Sequence, residues 1–240
     1  MEKIIAVIVE EGVKIVFASA GNPKTWTSFL KNIGIIVVHV VSSVKFALKA
    51  QEAGVDAIVA EGFEAGGHNG REETTTFTLI PMVKEYISIP LIAAGGIAKG
   101  SSMLAAMILG ADGVQIGSRF VASEESSAHI KFKKQVLSAK DGDTFLTLQE
   151  LAPVRLIRNK FFQEVQELYS ENPTKGDLEV LLGKGRVRKG MFEGDLEKGE
   201  LEIGQIAGLI YKIKPAAEIV QEIIFEYNSI KKSLYIRKHY

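Results

Sequence analysis

The sequence predicts an α/β chain built on a parallel sheet, and two observations carry that prediction. First, five short runs (14–18, 34–41, 57–60, 90–94 and 113–116) are apolar almost without interruption. Strands buried on both faces of a parallel sheet read this way, whereas a strand with one wet face alternates. Second, "EAGVDAIVAEG" and "ILGADGVQIGS" are two copies of one phrase. In each, a glycine closes a helix, a short connection follows, and a buried strand ends in a polar turn. Alternating strand–helix units of this kind imply parallel strands with right-handed crossovers.

Taken in order, the run 14–18 ends at Gly21-Asn22-Pro23. Trp26, just beyond, is expected to pack in an apolar interface at a helix start. The run 34–41 holds His39, expected to be a core histidine, and ends at Ser42. The helix predicted over 43–53 puts Val44, Ala47, Leu48 and Ala50 on one face. The run 57–60 ends at Glu61-Gly62. The run 90–94 ends at Gly95-Gly96 and feeds a helix over 101–109, with Ser101 and Ser102 placed to cap it. The run 113–116 ends at Gly117-Ser118. From Ser123 the pattern changes: helices are expected over 128–139, 161–169 and 215–227, a glycine-punctuated loop over 191–204, and a frayed basic tail in "KKSLYIRKHY". The implied organisation is a partial (β/α) barrel over 1–122, a mainly helical extension over 123–214, and a helix and tail over 215–240 that return to the barrel.

Bulk composition narrows the function. The chain has 240 residues, is 46% apolar and has a formal charge of +0. It can bury a sizeable core, and it lacks the basic excess that a nucleic-acid partner would demand. With no cysteine there is no disulfide, thiolate metal site or cysteine nucleophile. That fits a cytoplasmic setting. With no paired histidines either, no metal site is expected. No apolar run reaches the roughly 20 residues of a membrane helix, so no membrane partner is expected.

Parallel α/β folds bind ligands at the C-terminal ends of their strands. Two consecutive ends here carry Gly95-Gly96 and Gly117-Ser118. Glycines let backbone N–H groups approach a phosphate; the alternative reading is two tight strand-to-helix turns. The longest polar stretch at a strand end is "EGFEAGGHNGREETTTF". It contains His68 among Gly66, Gly67 and Gly70. His68 reads as a proton carrier near neutral pH or as a loop histidine without a role. Glu61 reads as a ligand contact or as a rim ion-pair partner. Glu64 and Arg71 read as an ion pair within the loop, and Gln115 as a polar group in an apolar strand that needs a partner. His129 and His239 read as helix-surface and tail residues.

At "AEGFEAGGHNG", "IPLIAAGGIAKG", "LGADGVQIGSRFVASEES" and "GQIAGLI" the sequence resembles the nitronate monooxygenase / flavin-dependent enoyl-acyl-carrier-protein reductase (type II) family. It is more similar to the reductase branch. The resemblance implies a (β/α)8 TIM-barrel fold and FMN, with NADH or NADPH as reductant. It implies His68 as the catalytic residue and Glu61, Gly66, Gly95, Gly96, Gln115, Ile116, Gly117 and Ser118 as flavin contacts. Serine stands at 118 where threonine is common. Glu61 stands where the nitronate-oxidising branch has glutamine. The implied activity is FMN-dependent reduction of 2-enoyl thioesters in fatty-acid synthesis. The substrate would be a small molecule or an acyl-carrier-protein thioester, and a homodimer is allowed. The alternative is oxidation of alkyl nitronates with dioxygen.

The family's opening strands, with their Pro-Met or Gly-Gly-Met turn, have no counterpart here. At about 30 residues per unit, three missing units amount to roughly 75 to 90 residues. The expectation is a barrel lacking its first three units, a poor enzyme alone and prone to self-association. An inactive fragment is the further alternative.

Overall fold

In the computed structural model, residues 2–237 are described, with side chains to 234. After a first helix, α1 (Glu2–Glu10), come β1 (Ile15–Ser19), α2 (Thr27–Asn32), β2 (Ile36–Val41), α3 (Val44–Glu52) and β3 (Ala57–Glu61). They are followed by β4 (Gly67–His68), α4 (Thr76–Lys84), β5 (Leu91–Ala94), α5 (Gly100–Ile108), β6 (Gly113–Gln115) and α6 (Ser118–Val121). All five sequence-predicted strands are present. They form one parallel sheet in the order β1-β2-β3-β5-β6. Sequential order with every helix crossing in between is the arrangement of a (β/α) barrel wall.

Strand alternation divides the sheet into two faces. Val37, Val41, Ile58, Ala60, Leu91 and Ala93 face the helices and form the main core with Ala47, Leu79 and Val83. Val38, Val59 and Ala94 face the other way, with Val40 and Ile92 beside them. That second face is the concave, barrel-lumen side. At the β1 edge it is uncovered: Ile15 and Phe17 are 50% and 51% exposed. Trp26 packs against the main core, as expected. Helix α5 starts one residue earlier than predicted. Ser102, not Ser101, caps it, its Oγ accepting from Ala98 and Lys99 N–H at 3.1 Å each.

The second half is mainly helical, as expected, and adds a short antiparallel hairpin that the sequence reading did not include. It holds α7 (Ile130–Ser138), β7 (Thr144–Thr147), β8 (Val154–Ile157), α8 (Lys160–Ser170) and α9 (Lys175–Leu182). Strands β7 and β8 pair antiparallel, and β4 joins the far side of β8. These strands are four residues or fewer, too short for periodicity to reveal. Arg155 on β8 is fully buried, its Nε donating to the Phe63 carbonyl at 3.1 Å. The hairpin thereby holds the histidine loop.

The stretch 191–204 is not simply loop. A π-helical turn ends at Phe192, and Glu202 bridges Leu156 of β8 in antiparallel fashion. The last helix, α10 (Ala216–Arg237), runs ten residues past the predicted end and packs on α5. The tail is therefore helical as far as Arg237 rather than frayed, because apolar residues continue through Leu234. His239 lies outside the described residues.

Candidate functional site

The C-terminal ends of β3, β5 and β6 open on a cleft of about 210 Å³. Register explains which side chains reach it. Glu61 continues the lumen-facing series Ala57, Val59, and Gln115 has the parity of Gly113, opposite to core-facing Val114. Both therefore point to the concave side. Gly95 and Gly96 follow β5 with φ of 85° and 68°. A chain reversal at positive φ favours glycine. Gly117 and Ser118 follow β6, and all four residues line the same cleft. The two glycine turns sit side by side because β5 and β6 pair directly.

The cleft is rich in unused donors. Among the described contacts, the backbone N–H groups of Gly96, Gly117 and Ser118 donate no hydrogen bond. Backbone N–H groups left free at successive turns can make an anion site. Gly117 also faces open space, with nothing within 4 Å of where a Cβ would stand. Ser118 has a structural duty as well, since its Oγ accepts from Gly204 N–H at 2.9 Å. This bond ties the 201–206 segment over the cleft, where Glu202, Ile203 and Ile206 complete the wall with Met191. Gly66 fits beneath this segment because a Cβ there would overlap the backbone of Ile203 and Gly204.

Glu61 also lines an adjoining cavity of about 390 Å³ that contains His68 and His39. His68 thus lies next to the glycine cleft rather than within it. Its imidazole is 68% exposed, and Nδ1 stands 3.8 Å from Glu202 Oε1. One strand edge arranges this pair: along β8, Val154 faces His68, Arg155 faces Gly67, and Leu156 faces Glu202. Glu202 Oε1 is buried without a hydrogen-bond partner. Burial raises the Glu202 carboxyl above its usual range, and His68 partly offsets the rise. Burial pushes Glu61 up to about 7.

His39 is buried, as expected of a core histidine: it shares parity with Val37 and Val41 in the helix-facing layer, and burial lowers its basicity. Several other residues sit elsewhere than the sequence suggested. Glu64 and Arg71 do not pair. The Glu64 carboxylate accepts from Thr76 N–H at 2.9 Å and caps α4, while Arg71 donates to the Gln149 and Leu151 carbonyls. His129 is the N-cap of α7, its Nδ1 accepting from Lys131 N–H at 3.1 Å. Ile116 packs against the main core, outside the cleft lining. Glu202 was missed. Its signal was the alternation Glu200, Leu201, Glu202, Ile203, which is strand-like.

Parallel strand–helix units, ending in a cleft of glycine turns, define an α/β protein of the TIM-barrel type. Comparison with known proteins narrows this class. The family model described as nitronate monooxygenase matches residues 1–226, and the chain belongs to that family. Among curated relatives, a probable nitronate monooxygenase of Staphylococcus saprophyticus is 32% identical, over 94% of this chain and 66% of its own length. One from Staphylococcus aureus is 35% identical, over 84% and 59%. The chain thus spans about two thirds of the length of these relatives or less.

Among solved structures, FabK from Thermotoga maritima superposes with a TM-score of 0.90 at 42% identity, covering 98% of this chain and 74% of that one. A nitroalkane oxidase from Streptomyces ansochromogenes superposes with a TM-score of 0.80 at 26% identity, covering 97% and 69%.

Proposed function

We propose that the protein is an FMN-dependent oxidoreductase that reduces 2-enoyl thioesters with NADH or NADPH. The observation that carries the flavin reading is the convergence of Gly95, Gly96, Gly117 and Ser118 on one cleft with unspent N–H donors. That donor set fits the phosphate of a flavin mononucleotide. FMN, when bound, would supply the hydride-carrying ring. Gly96, Gly117 and Ser118 would hold its phosphate, with Gly95 shaping the turn. Glu61, Gln115 and Gly66 would border the rest of the cofactor, and Ile116 would support the strand end from the core side.

His68 is the candidate proton donor. It stands at the junction of cleft and adjoining cavity, and Glu202 lies on its Nδ1 side. A carboxylate on one ring nitrogen orients an imidazole and leaves the other nitrogen for substrate. The adjoining cavity would take the thioester. The likeness to FabK, at 42% identity against 26% for the nitroalkane oxidase, supports the reductase reading.

A second reading, nitronate oxidation with dioxygen, is favoured by the names of the curated relatives. The test supplies FMN and measures two rates: anaerobic NADH oxidation driven by a 2-enoyl thioester, and oxygen uptake driven by an alkyl nitronate. The reductase reading expects the first to dominate. Nitronate-dependent uptake without enoyl reduction would establish the second reading, and neither activity would leave a non-catalytic fragment.

A further inference from the structure

A separate cavity of about 460 Å³ is lined by residues that follow the two glycine turns, Ala98, Lys99 and Arg119, and by the end of the chain. It shares no lining residue with the candidate site. Its walls come from the segment after Gly96, from α6, from the stretch before α10 and from α10 itself. At its floor is Arg119, only 9% exposed.

The buried cations of this protein are satisfied to different degrees. Lys133 donates to three carbonyls, those of Ser123, Glu124 and Ser126. Arg155 donates from Nε to the Phe63 carbonyl at 3.1 Å and leaves Nη2 without a partner, enclosed behind the hairpin. Arg119, unlike these two, lines an open cavity. Its one hydrogen bond runs from Nη1 to the Lys212 carbonyl at 3.4 Å, and among the described residues it has no carboxylate within salt-bridge reach. A guanidinium carries five N–H donors, and a buried one left nearly empty is costly.

Cations outnumber carboxylates around it, although the charges of Glu222 and Glu218 also reach Arg119. Lys99, Lys212 and Lys214 line the cavity with Arg119, against Glu222 and Glu226. The carboxylates are already engaged. Lys214 bridges Glu218 at 2.6 Å and also holds Glu222, while Glu226 accepts from Gly100 N–H at 3.1 Å. Lys99, Arg119 and Lys212 make no ion pair among the described residues. At the mouth, the Tyr211 ring is 68% exposed, with Lys99 Nζ 5.9 Å from its centroid.

We propose that this cavity binds a phosphate monoester, held by Arg119 with Lys99 and Lys212. Three uncommitted cations suit a dianion, and an arginine fork matches phosphate bidentately. The volume falls in the range of small-molecule sites, roughly 300–1,000 Å³. The exposed ring beside it offers a stacking face for a base. The phosphate could arrive as a free anion or on an adenine nucleotide.

The test is calorimetric titration of the flavin-free chain with orthophosphate and with adenosine monophosphate. Saturable binding of either, weakened about tenfold or more by Arg119→Gln, is expected from the loss of a charged hydrogen-bond donor. Tighter binding of the nucleotide would assign that source, and equal binding would assign the free anion. Should Arg119→Gln fail to fold, the exposed pair Lys99→Gln with Lys212→Gln gives the same reading. Gly117→Val, which fills the flavin cleft, must leave this binding intact, so the outcome is separable from the flavin assignment. Absence of saturable binding, unchanged affinity in both cavity variants, or loss in Gly117→Val would overturn the proposal.

Discussion

His68 Nδ1 lies 3.8 Å from Glu202 Oε1, and both residues are held against the same edge of β8. The imidazole is exposed while the carboxylate is buried, so the pair joins solvent to cleft. Replacing His68 by alanine removes the attraction that holds down the Glu202 carboxyl. The Glu202 carboxyl is then expected to titrate higher still, which carboxyl carbon chemical shifts against pH would show. Enoyl turnover is expected to fall by about 10²-fold or more, the usual scale for loss of a general acid, with FMN affinity nearly unchanged. Unaltered turnover would remove His68 from the chemistry.

Gly66 and Gly117 separate folding from ligand binding. Gly117→Val meets open space and a φ of −100°, so thermal stability is expected to change little while FMN binding is lost. Gly66→Ala drives a methyl into the Ile203–Gly204 backbone. Overpacking of this kind costs about 1–3 kcal/mol. Denaturant titration of both variants, alongside FMN titration, checks the contrast.

Glu61 and Glu200 each titrate near 7 in the folded protein, both through burial, and the Glu202 charge adds to the rise at Glu200. Their unfolded values are near 4.5. Between these limits the folded state binds more protons than the unfolded chain, so stability is full below pH about 4.5 and falls as pH rises through 7. Glu61→Gln removes that penalty. Its melting temperature relative to the parent is therefore expected to increase from pH 5 to pH 8. A difference independent of pH would contradict the burial of Glu61 as an ionised group.

The β1 edge leaves Ile15 and Phe17 exposed on the concave face, and among the described residues β1 is paired only on its β2 side. Uncovered apolar edges associate. Sedimentation velocity is expected to show concentration-dependent association that Phe17→Lys reduces. A monomer at all concentrations would show that this face does not associate.

The sheet was legible because its strands read as continuous apolar runs, and in β2, β3 and β5 most of those residues are buried, whereas β1 leaves Ile15 and Phe17 exposed. The short hairpin was not. Thr144–Thr147 and Val154–Ile157 are too brief for a period to register, and their partner β4 lies in a glycine-rich loop. Helix α1, "EKIIAVIVE", is a short apolar run of the kind that periodicity cannot assign. Most of the cleft could be read from strand ends, since a parallel sheet fixes where its C-terminal turns gather. The ends of the Glu64 and Arg71 side chains depend on tertiary contacts 12 to 80 positions apart in sequence, and Glu202 meets His68 from farther still, beyond the reach of local pattern.

The central claim is that the glycine turns after β5 and β6 hold the phosphate of FMN. Comparative titration of FMN and riboflavin, which lacks the phosphate, tests this directly through quenching of flavin fluorescence. FMN is expected to bind about tenfold or more tightly, on the scale of charge-assisted hydrogen bonds, and Gly117→Val is expected to abolish the difference. Equal affinity for the two flavins, or an undiminished preference for FMN in Gly117→Val, would contradict it.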